Sequence, residues 1–354
     1  MEQVFDTTEK YLYQKQFQQA IDLLISKEMN LVASMIKFNH KKEPGIEIEI
    51  QKRSMNDFER NTKDDKKSYK KIRLLCNWCT TDELTLLWTK MSNNGSWKNL
   101  QLSLEPEIPD YYVIINSPPS GVSFEPKKTI VFQMEPHMSK HVNKWKEWAN
   151  PRSENFLRVF KHDKDYNNLE WHLSKNYIEL KSQEIIKEKN LSKVISTVLS
   201  GKYTDPGHMK RVDFVKFLEK KEIDIHVFGN NRWNYKNYKG ELPYHCKDNG
   251  IFPYKYTFNV ENHEIPNYFT EKLIDGILGE CLVFYSGSRT VREYIDERAY
   301  VYLELSNFEQ DYDTIKKAIE DDLYTKRLPY IKEAKRKILD ELQFFPRLFN
   351  ELEK

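Results

Sequence analysis

In the stretch FNVENHEIPNYFTEKL, Phe258 to Leu273, an apolar run closes on Glu261 and Asn262. A polar loop containing Pro266 follows, and Thr270, Glu271 and Lys272 then open a helical pattern. A helix start offers free backbone N–H groups and a positive partial charge, which favour a phosphate. Lys272 adds a full positive charge there, while the Glu271 carboxylate suits the hydroxyls of a ribose diol. A sugar and a phosphate held at one turn describe a nucleotide. The plainer alternative is a solvated Glu–Lys pair.

Other residue types invite chemistry more weakly. Cys76 and Cys79 form a C-x-x-C in LLCNWCTT, yet no second such pair or Cys/His pair stands at zinc spacing, so two structural cysteines at a strand end are expected. His162, His172, His208 and His263 show no metal spacing and read as hydrogen-bonding loop residues, the last two in loops of the second series. The aromatic cluster NNRWNYKNYKG, Asn230 to Gly240, fits a stacking surface or a loop with tyrosine feet in the core. YNNLEWHL, Tyr166 to Leu173, fits a linker or the border of a cleft.

The elements that would position these groups alternate. KIRLLCNW, YYVIIN and TIVFQM are short apolar runs fit for buried strands, with DELTLLWTKM a helix after the first. A second series runs KVISTVLS, the amphipathic HMKRVDFVKFLEKK, then IDIHVFG, YKYTFNVEN, TEKLIDGILGE and CLVFYSG, before a helical tail. β-α-β punctuation predicts parallel sheets covered by helices, and two consecutive α/β domains facing a cleft are the simplest architecture. In such sheets ligands bind beyond the carboxyl ends of the strands. Residues 1–66 read as a charged N-terminal helical extension, closed by the charge run RNTKDDKKSYKK.

The bulk numbers exclude several classes. Across 354 residues, 56 lysines and arginines nearly cancel 54 aspartates and glutamates, so no global field recruits nucleic acid. No apolar run reaches the roughly 18–20 residues of a membrane helix. The N-terminus lacks the basic start and apolar core of a signal peptide, and four cysteines make a disulfide framework unexpected. A cytoplasmic protein is expected.

The run YKYTFNVENHEIPNYFTEKLIDGILGECLVFYSG resembles the donor-binding signature of the α1,3/4-fucosyltransferases, glycosyltransferase family ten. Tyr254-Lys255-Tyr256, Glu261-Asn262 and Tyr268-x-Thr270-Glu271-Lys272 fall in that family's order and spacing. Upstream, Arg211 matches an arginine near a helix start, IDIHVFGN a strand closing on Gly229, and Glu135 in TIVFQMEPH the glutamate of a Glu-Ser-Pro, here without its serine. The likeness spans roughly residues 71–345. It implies a GT-B-like fold and inverting transfer of fucose from GDP-fucose to a hydroxyl of a glycan acceptor in an α1,3-type linkage, with no metal or other cofactor.

By motif position, Arg211 and Lys272 would neutralise the leaving diphosphate, and Glu271 would hold the ribose. Tyr268 would hold the diphosphate or sugar, and Glu261 and Asn262 would line the donor-sugar side. Inverting transfer needs a base for the acceptor hydroxyl, which a partly buried carboxylate can supply. Glu135 is the candidate and His137 its rival. No D-x-D stands at a strand end; VDF at 212–214 and EDD at 320–322 are expected in helices.

The resulting division is an extension over 1–66, an acceptor-side domain over 67–178, a nucleotide-sugar domain over 179–335 and a C-terminal helix over 336–354. GECLVFYSG departs from the family, with Cys281-Leu282 in place of an apolar residue and proline, so a different wall to the donor pocket and another GDP-deoxyhexose donor stay open. The pattern resembles a soluble bacterial or viral member. A non-catalytic glycan- or nucleotide-binding protein is the alternative from another class.

Overall fold

The structure is a computed structural model that describes residues 69–104, 107–135, 146–166, 170–221, 223–243 and 245–354. The expected N-terminal extension and His137 lie outside the described residues.

The first sheet contains β1 (Lys70–Cys76), β2 (Ser96–Trp97), β3 (Leu100–Leu102), β4 (Tyr111–Ile115), β5 (Thr129–Phe132) and β6 (Arg158–Phe160). Its order is β2-β3-β1-β4-β5-β6, parallel except for the β2–β3 pair. Val113, Ile114, Ile115, Ile130, Val131 and Phe132 are all fully buried. Such runs, apolar on both faces, belong inside a sheet covered on both sides. Helix α1 (Thr81–Trp88) follows β1, started by a capping box between Thr80 and Glu83. The short helix α2 (Tyr177–Ser182) leads out of this domain.

The second sheet contains β7 (Ile195–Leu199), β8 (Ile225–Gly229), β9 (Tyr238–Gly240), β10 (Tyr256–Val260), β11 (Leu282–Ser286) and β12 (Tyr300–Tyr302). It runs β12-β11-β10-β7-β8-β9, every pairing parallel. Helix α3 (Pro206–Leu218) joins β7 to β8, and α4 (Glu271–Leu278) joins β10 to β11. Helices α5 (Phe308–Glu320) and α6 (Leu323–Lys337) follow. The expected long strands and α3 and α4 are all present. β2, β3, β6, β9 and β12 are the strands the pattern did not announce, because two or three residues carry no period. The architecture is GT-B-like, two Rossmann-like domains, as expected.

The C-terminal segment is not one helix over 336–354. α6 ends at Lys337, a wide turn spans Ile338–Leu342, and α7 (Phe344–Leu352) returns to the first domain. There Phe344 meets Trp88 with ring centroids 4.9 Å apart, and the Gln343 side-chain amide donates to Met91 O at 3.0 Å. The EDD triplet is likewise only partly helical: Glu320 ends α5, while Asp321 and Asp322 form the turn before α6, Asp322 at φ 43.

Two clasps join the domains besides α7. The His162 ring lies between Met134 O (3.0 Å) at the end of β5 and Asn267 O (3.1 Å), and Asn267 returns a bond to His162 O at 2.9 Å. Tyr166 stacks on Phe269 with centroids 5.2 Å apart. His162 is therefore an interdomain strut, and burial lowers its pKa. Of the YNNLEWHL stretch, Tyr166 and Trp171 are core residues and His172 lines a cavity of the second domain, while the described part lines no cavity at the carboxyl ends of β1 and β4.

Candidate active site

In the second sheet β7 is flanked by β8 and β10, and the helices after β7 and β10 lead away in opposite directions along the sheet. The carboxyl ends of β7 and β10 therefore bound a switch-point crevice. A cavity of about 310 Å³ opens there, and Ser200, Arg211, Asn262, Glu271 and Lys272 line it. Four of the seven residues expected from the sequence thus meet in one place.

The local sequence explains the convergence. The buried Glu261 carboxylate accepts from the Thr270 backbone N–H at 2.8 Å and from its hydroxyl at 2.7 Å, tying the end of β10 to the start of α4. Thr270 is the N-cap of α4, and its Oγ1 receives Lys272 Nζ at 3.1 Å. Asn259, on β10 two residues before Glu261, donates to Lys272 O at 2.7 Å. Gly207, in the first turn of α3, donates its N–H to Asn262 O at 3.1 Å, and a Cβ there would lie 1.7 Å from Glu261 O. Only glycine lets these backbones touch.

Arg211 is 5 % exposed. Its Nη1 donates to Asn262 Oδ1 (3.1 Å) and Val260 O (3.3 Å), its Nη2 to Ser200 Oγ (3.0 Å). The Nε is buried with no partner, and among the described residues Arg211 makes no ion pair. Burial lowers its pKa against the pull of Glu271 and Glu261, yet a guanidinium stays charged at neutral pH. The cavity lining holds four cations, Lys202, Arg211, Lys247 and Lys272, against two carboxylates, Glu271 and Asp275. An excess of positive charge around a buried guanidinium without an anion calls for a polyanionic ligand.

The carboxylates here diverge. Burial pushes the Glu261 carboxyl up, with Lys272 Nζ 3.7 Å away opposing. Burial would raise Glu271 also, but Lys272 (3.2 Å) and Lys247 (3.6 Å) outweigh it and hold Glu271 well below the carboxylate range. His208 is 3 % exposed, and burial with the Arg211 charge pushes it down to about 4. It stands neutral, its Nδ1 accepting the Asp205 N–H at 3.2 Å.

Three expected residues sit elsewhere. Glu261 lies behind the cavity as a brace for α4 rather than on its wall. Tyr268 is 3 % exposed and packs edge-on against His162 at 5.2 Å, off the cavity lining. Glu135 is exposed, not partly buried, just past β5; its N–H donates to Asn116 Oδ1 at 3.0 Å. Its charge still bears on His162 and on Tyr268 of the second domain.

Lys247 was invisible in the sequence. It lies in a loop without a motif, yet it bonds Asp275 at 2.8 Å across the cavity wall. His172 and His208, read as loop residues, also line the cavity, whereas Cys281 and Leu282 are core residues away from it. In NNRWNYKNYKG, Tyr235 is buried as a core foot, while Trp233 meets Tyr203 at 5.1 Å outside the cavity lining.

As to metals, Glu170, His172 and His245 bring one ligand atom each within 4.8 Å of one another. Lys90 Nζ stands 3.3 Å from His245 Nδ1, and Lys247 adds a second ammonium nearby, both opposing a divalent cation.

The comparisons bear on this site directly. Residues 186–332, which hold β7 to β12 and every residue of the cavity lining except His172, match the family described as "Glycosyltransferase family 10 (fucosyltransferase) C-term". Over that domain the chain matches glycosyltransferase family 10. It is a glycosyltransferase, the enzyme class expected from its motifs.

No curated protein matches the sequence. Among solved structures the chain is similar to an alpha1,3-fucosyltransferase with GDP, at 18 % identity over 75 % of this chain and 82 % of that one, TM-score 0.48. It is also similar to an alpha1,3-fucosyltransferase with GDP-fucose (15 % identity, 80 % and 94 % covered, TM-score 0.40). A third similar structure is a glycosyltransferase from Rickettsia africae ESF-5 (13 % identity, 88 % and 81 % covered, TM-score 0.43). Among the described residues, no helix is long and apolar enough to cross a membrane.

Proposed function

We propose that this family 10 chain transfers L-fucose from GDP-fucose to a hydroxyl of a glycan acceptor, with inversion and without a metal ion. One observation carries the donor assignment: the buried Arg211, with no ion-pair partner among the described residues, faces a cavity of net positive charge at the N-terminus of α4. A diphosphate supplies the missing anion. Arg211 and Lys272 neutralise it as the bond to the sugar breaks, the task a metal performs in other transferases. Glu271, held ionised by Lys272 and Lys247, receives the ribose hydroxyls. Asn262, fixed by Arg211, faces the donor, and Glu261 acts through Thr270 by setting the start of α4. Tyr268 is assigned to the sugar end of the donor.

The acceptor belongs to the first domain. There β1 is flanked by β3 and β4, and a cavity of about 1140 Å³ lies beyond the carboxyl ends of β1 and β4, at the second switch point. Trp78, Phe124 and Trp148 give it flat apolar faces, and Asp82, Glu83 and Ser117 give it hydrogen-bonding groups, a lining suited to a sugar ring. The acceptor oxygen attacks the anomeric carbon from the face opposite GDP, the bond from that carbon to the diphosphate oxygen breaks, and Glu135 takes the hydroxyl proton.

Thermal shifts with GDP, UDP and dTDP test the donor, and release of GDP from GDP-fucose in EDTA tests the reaction. GDP is expected to stabilise the protein, and Arg211→Ala or Lys272→Ala to weaken GDP binding by about 1.5–3 kcal/mol, the range for a lost charge-assisted hydrogen bond. Unchanged GDP affinity in both variants, or activity abolished by EDTA and restored by manganese, would overturn the assignment.

A further inference from the structure

Of the C-x-x-C pair, Cys76 is buried at the end of β1, while Cys79 is half-buried beyond it. Cys76 is the last residue of β1, and Cys79 directly precedes Thr80, the N-cap of α1. Their sulfurs lie 3.4 Å apart, and both residues line the large first-domain cavity beside Trp78. Cys79 is only half-buried there, so a dissolved reagent reaches the pair through that cavity.

We propose that Cys76 and Cys79 are a redox-active dithiol that closes reversibly into a disulfide by exchange with a small-molecule disulfide entering the first-domain cavity. Three features converge on this. A disulfide needs about 2.05 Å between sulfurs, and rotation of two cysteine side chains already in contact supplies the remaining approach. The capped start of α1 directs its positive end toward the pair, which favours a thiolate. The two sulfurs are within hydrogen-bond contact, either able to donate, and this contact lowers Cys76 and raises Cys79.

The exchange balances. One thiolate of the pair attacks a sulfur of the small disulfide, expelling one small thiolate and leaving a mixed disulfide. The second cysteine, as its thiolate, attacks the protein sulfur of that bond and expels the other small thiolate. The protein loses two protons and two electrons, and the small disulfide gains both as two thiols. The new bond clamps the turn carrying Asn77 and Trp78, part of the cavity wall assigned above to the acceptor.

The test uses the folded full chain, oxidised glutathione as the probe, alkylation of free thiols and peptide mapping by mass. Transfer activity is not read, so failure of the fucosyltransferase reading would leave the result standing. The expected outcome is loss of about 2 Da, two of the four cysteines protected, the bond mapped to Cys76–Cys79, and full reversal by dithiothreitol. Cys246→Ser, outside the pair, should leave that bond intact, while Cys79→Ser should abolish it. Four alkylatable thiols after oxidation would overturn the proposal, as would a bond mapped to Cys246 or Cys281, or stable glutathione adducts in place of an internal bond. Protection lifted by a chelator rather than a reductant would also overturn it. The mapping on the unsubstituted chain decides even if a variant fails to fold.

Discussion

At the residue scale the transferase reading stands on single groups whose charge the fold commits in advance. Glu135 is the most exposed assignment, sitting on the first domain with its charge felt by Tyr268 on the second. Glu135→Gln keeps shape and removes the carboxylate proposed as base, so turnover should fall on the order of 10²–10⁴-fold. GDP affinity should hold within a factor of a few, since the cavity proposed for the nucleotide belongs to the other sheet. Near-normal turnover in Glu135→Gln together with its loss in His137→Ala would move the base to the histidine.

His208 offers a pH test. Its folded pKa of about 4 lies below the ordinary 6.5, because burial and Arg211, Lys202 and Lys272 disfavour the imidazolium while Asp205 favours it. Above 6.5 neither state binds the proton; as the pH falls from 6.5 toward 4 the unfolded chain binds it first, and stability is lost. The loss is on the order of 1–3 kcal/mol after allowance for solvent reaching the cavity. His208→Gln should flatten that part of the stability–pH curve; an unchanged slope would remove His208 as its cause.

At the element scale, α3 and α4 are aimed by contacts between strand ends and helix starts. Gly207 is the position with least room, its added Cβ 1.7 Å from Glu261 O. Gly207→Ala must push α3 off the end of β10, carrying Arg211 away from Asn262 and Ser200. Denaturant melts should show a loss of about 1–3 kcal/mol, the usual range for overpacking, with weaker GDP binding. Wild-type values for both would show that the backbone contact does not set the cavity.

At the scale of the whole molecule, α7 leaves the second domain and completes the first. Phe344 and Phe345 are fully buried, Phe344 against Trp88 and Phe132, and Lys70 Nζ on β1 donates to Leu352 O at 3.2 Å. Removing residues 343–354 strips apolar cover from the first sheet, worth about 1.5–3 kcal/mol for each large side chain buried. Limited proteolysis should then cut the first domain while the 186–332 domain stays resistant. Equal resistance of both would show α7 to be an accessory.

The sequence by itself determined the buried strands and the donor-side helices, because runs such as YYVIIN and amphipathic repeats such as HMKRVDFVKFLEKK impose their period whatever surrounds them. It also determined the Thr270-Glu271-Lys272 helix start, since a cap and its first-turn charges are local in the chain. Only the tertiary structure decided that Arg211, Asn262 and Lys272 share one cavity, because residues 211 and 262 meet through the parallel pairing of β7 with β10 and not through spacing. It alone brought Lys247 onto Asp275, turned Glu261 from a ligand into a brace and left Glu135 exposed. Burial and charge neighbourhood are sums over distant segments, and no local pattern encodes them.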